Sequence, residues 1–133
     1  MTAKNKARLL LIEDDAGVRR SLQLLLHGER FEVHAFSSAG PALAEMAFWQ
    51  PTHAVIDYCL PDGDGVEALR ALRANGWNGT AILITAFDTR DVRKAAADAG
   101  FSAVLSKPFA DSRLVETLRR GQAAMASAPS ATL

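Results

Sequence analysis

The chain has 133 residues, 49% of them hydrophobic, which suits one domain with a sizeable apolar core. Fifteen basic and fifteen acidic residues leave a formal net charge of zero, so charge gives no case for direct nucleic-acid binding by this segment. The single cysteine, Cys59, excludes an internal disulfide framework and fits a reducing compartment.

Strand and helix signals alternate from the start. Residues 8–12, with the run Leu9-Leu10-Leu11-Ile12, read as a strand covered on both faces. Residues 16–27 place Val18, Leu22, Leu25 and Leu26 on one helical face, with Gly28 as a stop. Phe31 to Phe36 alternates apolar and polar residues as a second strand. Ser37 or Ser38 then caps a helix with Pro41 in its first turn, running to about Phe48 and ending before Pro51. Residues 53–57 are the third strand, and Gly63 to Ala74 the third helix, with Val66, Leu69 and Leu72 on one face. Residues 80–85 are the fourth strand. Asp88 or Thr89 caps an alanine-rich helix ending at Gly100. Residues 102–106 are the fifth strand, and Asp111 opens a last helix carrying Leu114, Val115 and Leu118. Five such alternations predict an α/β fold, a doubly wound parallel sheet with helices on both faces.

The domain is expected over residues 7–121, between a flexible N-terminus (1–6) and an Ala/Ser-rich tail or linker (122–133). The polar start shows no signal peptide, and no apolar run approaches the ~20 residues that span a bilayer. The expectation is a soluble cytoplasmic protein without membrane contact.

In sheets of this kind ligands sit beyond the carboxyl ends of the strands. Three apolar runs end there in charged residues. Glu13-Asp14-Asp15 follows the first strand, Asp57 closes the third, and Lys107-Pro108 follows the fifth. Carboxylates at two strand ends and an ammonium at another make a site for a divalent cation and a phosphoryl group. Each has a plainer reading when taken singly: Asp57 as a strand end before the Pro61/Gly63 turn, the acidic trio as a solvated loop with a helix cap, Thr85 as a strand residue by propensity. His27, His34 and His53 lack ligand spacing and read as packing or surface residues. Trp49 and Trp77 lie near helix ends and read as covers over core edges.

Four segments in this order resemble the receiver domain of bacterial two-component response regulators: L-L-L-I-E-D-D at 9–15, D-Y-C-L-P-D-G-D-G at 57–65, I-L-I-T-A at 82–86 and L-S-K-P-F at 105–109. The resemblance covers about residues 7–120. It implies a flavodoxin-like (β/α)5 sheet with strand order 2-1-3-4-5, and a phosphorylatable signalling switch that assists its own phosphoryl transfer and hydrolysis. Asp57 is then the phosphoacceptor, and a carboxylate oxygen is a competent nucleophile toward a phosphohistidine. Mg²⁺ is the implied cofactor, held by Glu13, Asp14, Asp57 and the backbone carbonyl of Cys59. The pair Glu13/Asp14 is preferred to Asp14/Asp15 because the second acid then stands five residues before Arg19. Thr85 and Lys107 are the implied partners of the phosphoryl oxygens, and a cis bond is implied before Pro108. Implied partners are a sensor histidine kinase or histidine phosphotransfer protein, an output partner or domain, and a second copy of the phosphorylated chain.

Two positions depart from the family pattern. Val104 stands where many receivers carry a Tyr or Phe that swings with the threonine, and a β-branched side chain has few rotamers. Phe87 or Phe101 is the expected substitute. Phe87 itself stands where a polar group is common, and its ring is expected to screen the acyl phosphate. A pseudo-receiver should lack the acid, acceptor or lysine, and none is lacking. A flavin-binding module should carry a Ser/Thr/Gly-rich phosphate loop, not Glu13-Asp14-Asp15. An aspartate phosphatase needs a second Asp where Cys59 stands.

Overall fold

The protein is described here by a computed structural model covering residues 6–131, with side chains through residue 121. Residues 1–5 of the expected flexible N-terminus, and residues 132–133, lie outside the described residues. The main elements are β1 (Ala7–Ile12), α1 (Ala16–Gly28), β2 (Phe31–Phe36), α2 (Ala39–Glu45), β3 (His53–Asp57), α3 (Gly65–Ala74), β4 (Thr80–Thr85), α4 (Arg90–Ala99), β5 (Ala103–Ser106) and α5 (Asp111–Ala131). A small antiparallel hairpin, Cys59–Leu60 against Gly63–Asp64, lies between β3 and α3. The five long strands form one parallel sheet in the order β2-β1-β3-β4-β5, the doubly wound flavodoxin-like topology.

The strands are apolar on both faces because both faces are covered. Leu9 and Leu11 of β1 pack with Leu22, Leu26, Leu114 and Leu118 of α1 and α5. Leu10 and Ile12 point the other way, toward Leu69, Leu72 and Trp77. Each such fully buried side chain contributes about 1.5–3 kcal/mol relative to exposure. Trp77 donates from Nε1 to the Pro51 carbonyl at 2.7 Å, and Trp49 stacks on His34 with ring centroids 3.7 Å apart. Both indoles are buried at the margin of the same core.

The structure decides between the caps the sequence left open, and it moves some helix boundaries. At α4 the cap is Thr89, whose side chain accepts from the Val92 amide; Asp88 is engaged elsewhere. At α2 Ser38 holds the cap position but makes no side-chain bond. The amides of Ala39 and Gly40 donate instead to the carboxylate of Asp62, at 3.0 and 2.9 Å. That helix ends at Glu45, short of Phe48, where the amides of Met46, Ala47 and Phe48 turn to the carbonyls three residues back. Helix α3 starts at Gly65, two residues late, because 63–64 pair with 59–60; Asp64 and Glu67 then form a capping box. Helix α5 continues past Gly121 to Ala131, through the alanine-rich stretch read from sequence as tail or linker; alanine is the strongest helix former. No described helix is long and apolar enough to cross a membrane.

Candidate functional site

Parallel register brings the carboxyl ends of β1, β3, β4 and β5 together: Ile12 lies beside Ile56, Asp57 beside Ile84, and Thr85 beside Ser106. Glu13 and Asp14 leave the sheet next to Asp57. One carboxylate oxygen from each of the three lies within 4.8 Å of the others. Glu13 and Asp57 are buried and Asp14 is exposed. Asp15 is directed elsewhere: its side chain caps α1, accepting from the Val18 amide at 2.9 Å. Arg19 reaches back from α1 to donate to the carbonyls of Glu13 (3.0 Å) and Asp14 (3.3 Å), fixing the acidic loop.

Lys107 stands between two of the acids. Its Nζ donates to Glu13 Oε1 at 2.9 Å and to Asp57 Oδ2 at 3.0 Å. The sequence reading placed Lys107 on the phosphoryl oxygens, and its contact with Glu13 has no counterpart there. Burial raises the pKa of Glu13; the bonds from Lys107 and the Asp15 amide oppose this without cancelling it, and Asp57 adds to the rise. For Lys107, burial favours the neutral amine, but the bonds to Glu13 and Asp57 outweigh it, so its pKa is raised and the group is a cation at neutral pH.

Thr85 is buried at the end of β4. Its Oγ1 accepts from the Phe87 amide at 2.8 Å, and its carbonyl accepts from the Lys107 amide at 2.8 Å. The Lys107–Pro108 bond is cis. Cys59 is exposed; desolvation, followed by the charges of Asp57 and Asp14, pushes its thiol pKa up, so it stays protonated. Phe87 is 57% exposed, whereas Phe101 is buried in the core. Val104 is half-buried against the cluster on the α2–α4 side of the sheet.

The donor set fits a hard divalent cation: oxygen ligands only, two of them buried, with Asp14 on the open side. Sequence reasoning missed three supporting residues. Arg19 entered only as a spacing marker, although an arginine one turn into a helix after an acidic loop is a signal for such a clamp. Gly65 lies against the backbone of Asp57. Asp62 ties the loop after Asp57 to α2, which only the tertiary structure reveals.

A family model for the response regulator receiver domain matches residues 9–119. The chain belongs to this family, the phosphorylation-controlled signalling modules of two-component systems. It is 35% identical over 126 residues to the KDP operon transcriptional regulatory protein KdpE of Escherichia coli (strain K12), covering 91% of this chain and 55% of that protein. It is 35% identical over 112 residues to the response regulator MprA of Mycolicibacterium vanbaalenii, covering 84% of this chain and 48% of that one. The chain thus spans about half the length of these curated relatives. Among solved structures, a CheY-like receiver domain protein from Methanospirillum hungatei JF-1 superposes with a TM-score of 0.83 at 26% identity, over 87% of this chain and 93% of that one.

Proposed function

We propose that the chain is a switch that takes a phosphoryl group onto Asp57 from a phosphohistidine of a sensor kinase or phosphotransfer protein. The observation that carries this reading is the position of Asp57: buried at a strand end, grouped with Glu13 and Asp14, and bonded to Lys107. An Asp57 carboxylate oxygen attacks phosphorus, the phosphorus–nitrogen bond breaks, and the imidazole keeps the electron pair and takes up a proton. Lys107 is already within hydrogen-bond distance of the nucleophile and supplies positive charge to the added phosphoryl oxygens. The Thr85 hydroxyl, one strand away, donates to another of them. Glu13, Asp14, Asp57 and the Cys59 carbonyl would hold Mg²⁺, which neutralises the charge that gathers on the transferring group. Water attack on the same phosphorus later returns Asp57 to the free acid. In this reading Asp57 acts as acceptor and assists its own chemistry, and no separate substrate is turned over.

The partner's histidine needs a docking surface beside the site. The groove between α1 and the start of α5, lined by Val18, Leu22, Pro108 and Phe109 next to Lys107, supports that role. The change is read on the surface between Thr85 and Lys107 by an output partner, a linked output domain or a second copy of the chain. The test is incubation with acetyl phosphate and Mg²⁺ followed by intact mass measurement. One phosphoryl mass is expected on the parent and none on Asp57→Asn, with circular dichroism unchanged. Undiminished labelling of that variant overturns the assignment.

A further inference from the structure

Three atoms converge on one carboxylate just outside the site. Asp88, three residues past Thr85, receives a bidentate pair from Arg93, Nε at 2.6 Å and Nη2 at 2.9 Å. The Ser106 hydroxyl also donates to Asp88 Oδ2. Ser106 is paired in register with Thr85 and immediately precedes Lys107. The two residues that contact the phosphoryl group in the reading above are therefore followed or preceded by the two ends of one bond. Arg93, one turn into α4, ties the same carboxylate to the helix. These contacts hold the Asp88 carboxyl down to about 2, so it is ionised throughout the working pH range.

We propose that Asp88 is a positioning residue that holds the loop between β4 and α4 in its resting arrangement and opposes activation. This role rests on the phosphoacceptor reading and runs through Thr85. At rest its Oγ1 accepts from the Phe87 amide, which pins residues 86–87 over the end of the strand. Turning the Thr85 hydroxyl toward a phosphoryl group on Asp57 withdraws that acceptor, and the Phe87 amide is released. Asp88 still retains the loop, through Ser106 on one side and Arg93 on the other. Val104, β-branched and half-buried, has no ring to transmit the change, so the route to the surface leads through this loop. A contact made only in the resting state shifts the balance toward rest by its own free energy and lowers the affinity for any activating ligand by the same factor.

The test uses the full chain with Mg²⁺ and beryllofluoride, the phosphoryl mimic, in Asp88→Ala and Ser106→Ala variants. Removing Asp88 should speed amide exchange over residues 86–93 in the resting protein and tighten beryllofluoride binding roughly threefold or more, the range for a charge-assisted bond plus a partly exposed ion pair. Ser106→Ala should move both readouts the same way by less, since it leaves the Arg93 pair intact. A role in folding alone would lower the melting temperature and leave beryllofluoride affinity unchanged; that result, or unchanged exchange over 86–93, overturns the proposal. Failure of the parent chain itself to bind beryllofluoride would instead sink the phosphoacceptor reading on which this one stands.

Discussion

The α-carbon of Gly65 lies directly against the backbone carbonyl of Asp57: a Cβ built there would fall 2.4 Å from that oxygen and 2.9 Å from Leu83 Cδ1. The Gly65 amide also donates to the Tyr58 carbonyl at 2.7 Å, so the first turn of α3 is held against the backbone of Asp57. The backbone cannot yield without moving Asp57. Gly65→Ala is expected to destabilise the fold by about 3 kcal/mol, at the upper end for overpacking. Gly28→Ala is the control, because a Cβ at the end of α1 meets nothing within 4 Å. Urea unfolding of the two variants checks this; equal midpoints would contradict it.

The acidic cluster predicts a metal-dependent stability. Glu13, Asp14 and Asp57 bring three carboxylates within 4.8 Å and Lys107 balances only one charge, leaving net repulsion. Millimolar Mg²⁺ should raise the melting temperature by binding the folded state alone. Asp14→Ala should abolish that rise and be the more stable protein when no Mg²⁺ is present. A Mg²⁺ response that survives in Asp14→Ala would show that the cation is held by other residues.

How much of this could be read from the chain differs by kind of feature. The sheet was legible because both of its faces are buried, which turns every central strand into an apolar run such as Leu9–Ile12. Parallel strands then put the residues after those runs at one edge, so the acidic run 13–15, Asp57 and Lys107 could be grouped from position, while the choice of Glu13 and Asp14 over Asp15 came from the resemblance to receiver domains. What stayed hidden depends on side chains that cross between elements. Asp62 capping α2, Ser106 bonding Asp88, and the bond from Lys107 to Glu13 join residues that lie 22 to 23, 18 and 94 positions apart. No local pattern encodes such pairs. The start of α3 was misplaced for the same reason, since residues 63–64 look like a helix entry until they pair with 59–60.

His53 predicts an acid-sensitive core. It is 2% exposed at the start of β3, edge-on to Phe31. The Thr52 hydroxyl gives its proton to the Arg8 carbonyl, so His53 Nδ1 donates to Thr52 Oγ1 and Nε2 is the bare nitrogen, buried without a partner. Protonating Nε2 would bury an unpaired charge, and desolvation accordingly lowers the pKa. The unfolded chain takes up that proton near pH 6.5 and the folded chain only at lower pH. Stability is therefore fully present above about pH 6.5 and falls as pH drops toward the folded pKa, by up to about 1.4 kcal/mol per unit. His53→Leu should flatten that part of the profile. Denaturant titrations between pH 7.5 and 5 on parent and variant give the comparison, and identical slopes would remove His53 from the account.

Phe87 and Val104 predict where activation appears. Val104 lies beside Leu83 in the sheet, branched at Cβ and packed against the core, with no low-energy route to a large rotation. Phe87 stands on the loop two residues beyond Thr85, 57% exposed, and its amide is bonded to the hydroxyl that phosphorylation would claim. A pair of crystal structures, with and without beryllofluoride, should therefore show Thr85 and residues 86–92 displaced more than residue 104. Phe87→Ala should weaken partner binding or self-association of the activated form, because it removes the largest apolar group on that loop. It should also shorten the lifetime of the acyl phosphate by opening the site to water, measured as loss of phosphoryl mass over time. Val104→Tyr should fold, since the position is only half-buried and a tyrosine can carry its hydroxyl outward. A large shift at Val104 with Phe87 fixed in both structures would place the signal on the strand instead of the loop.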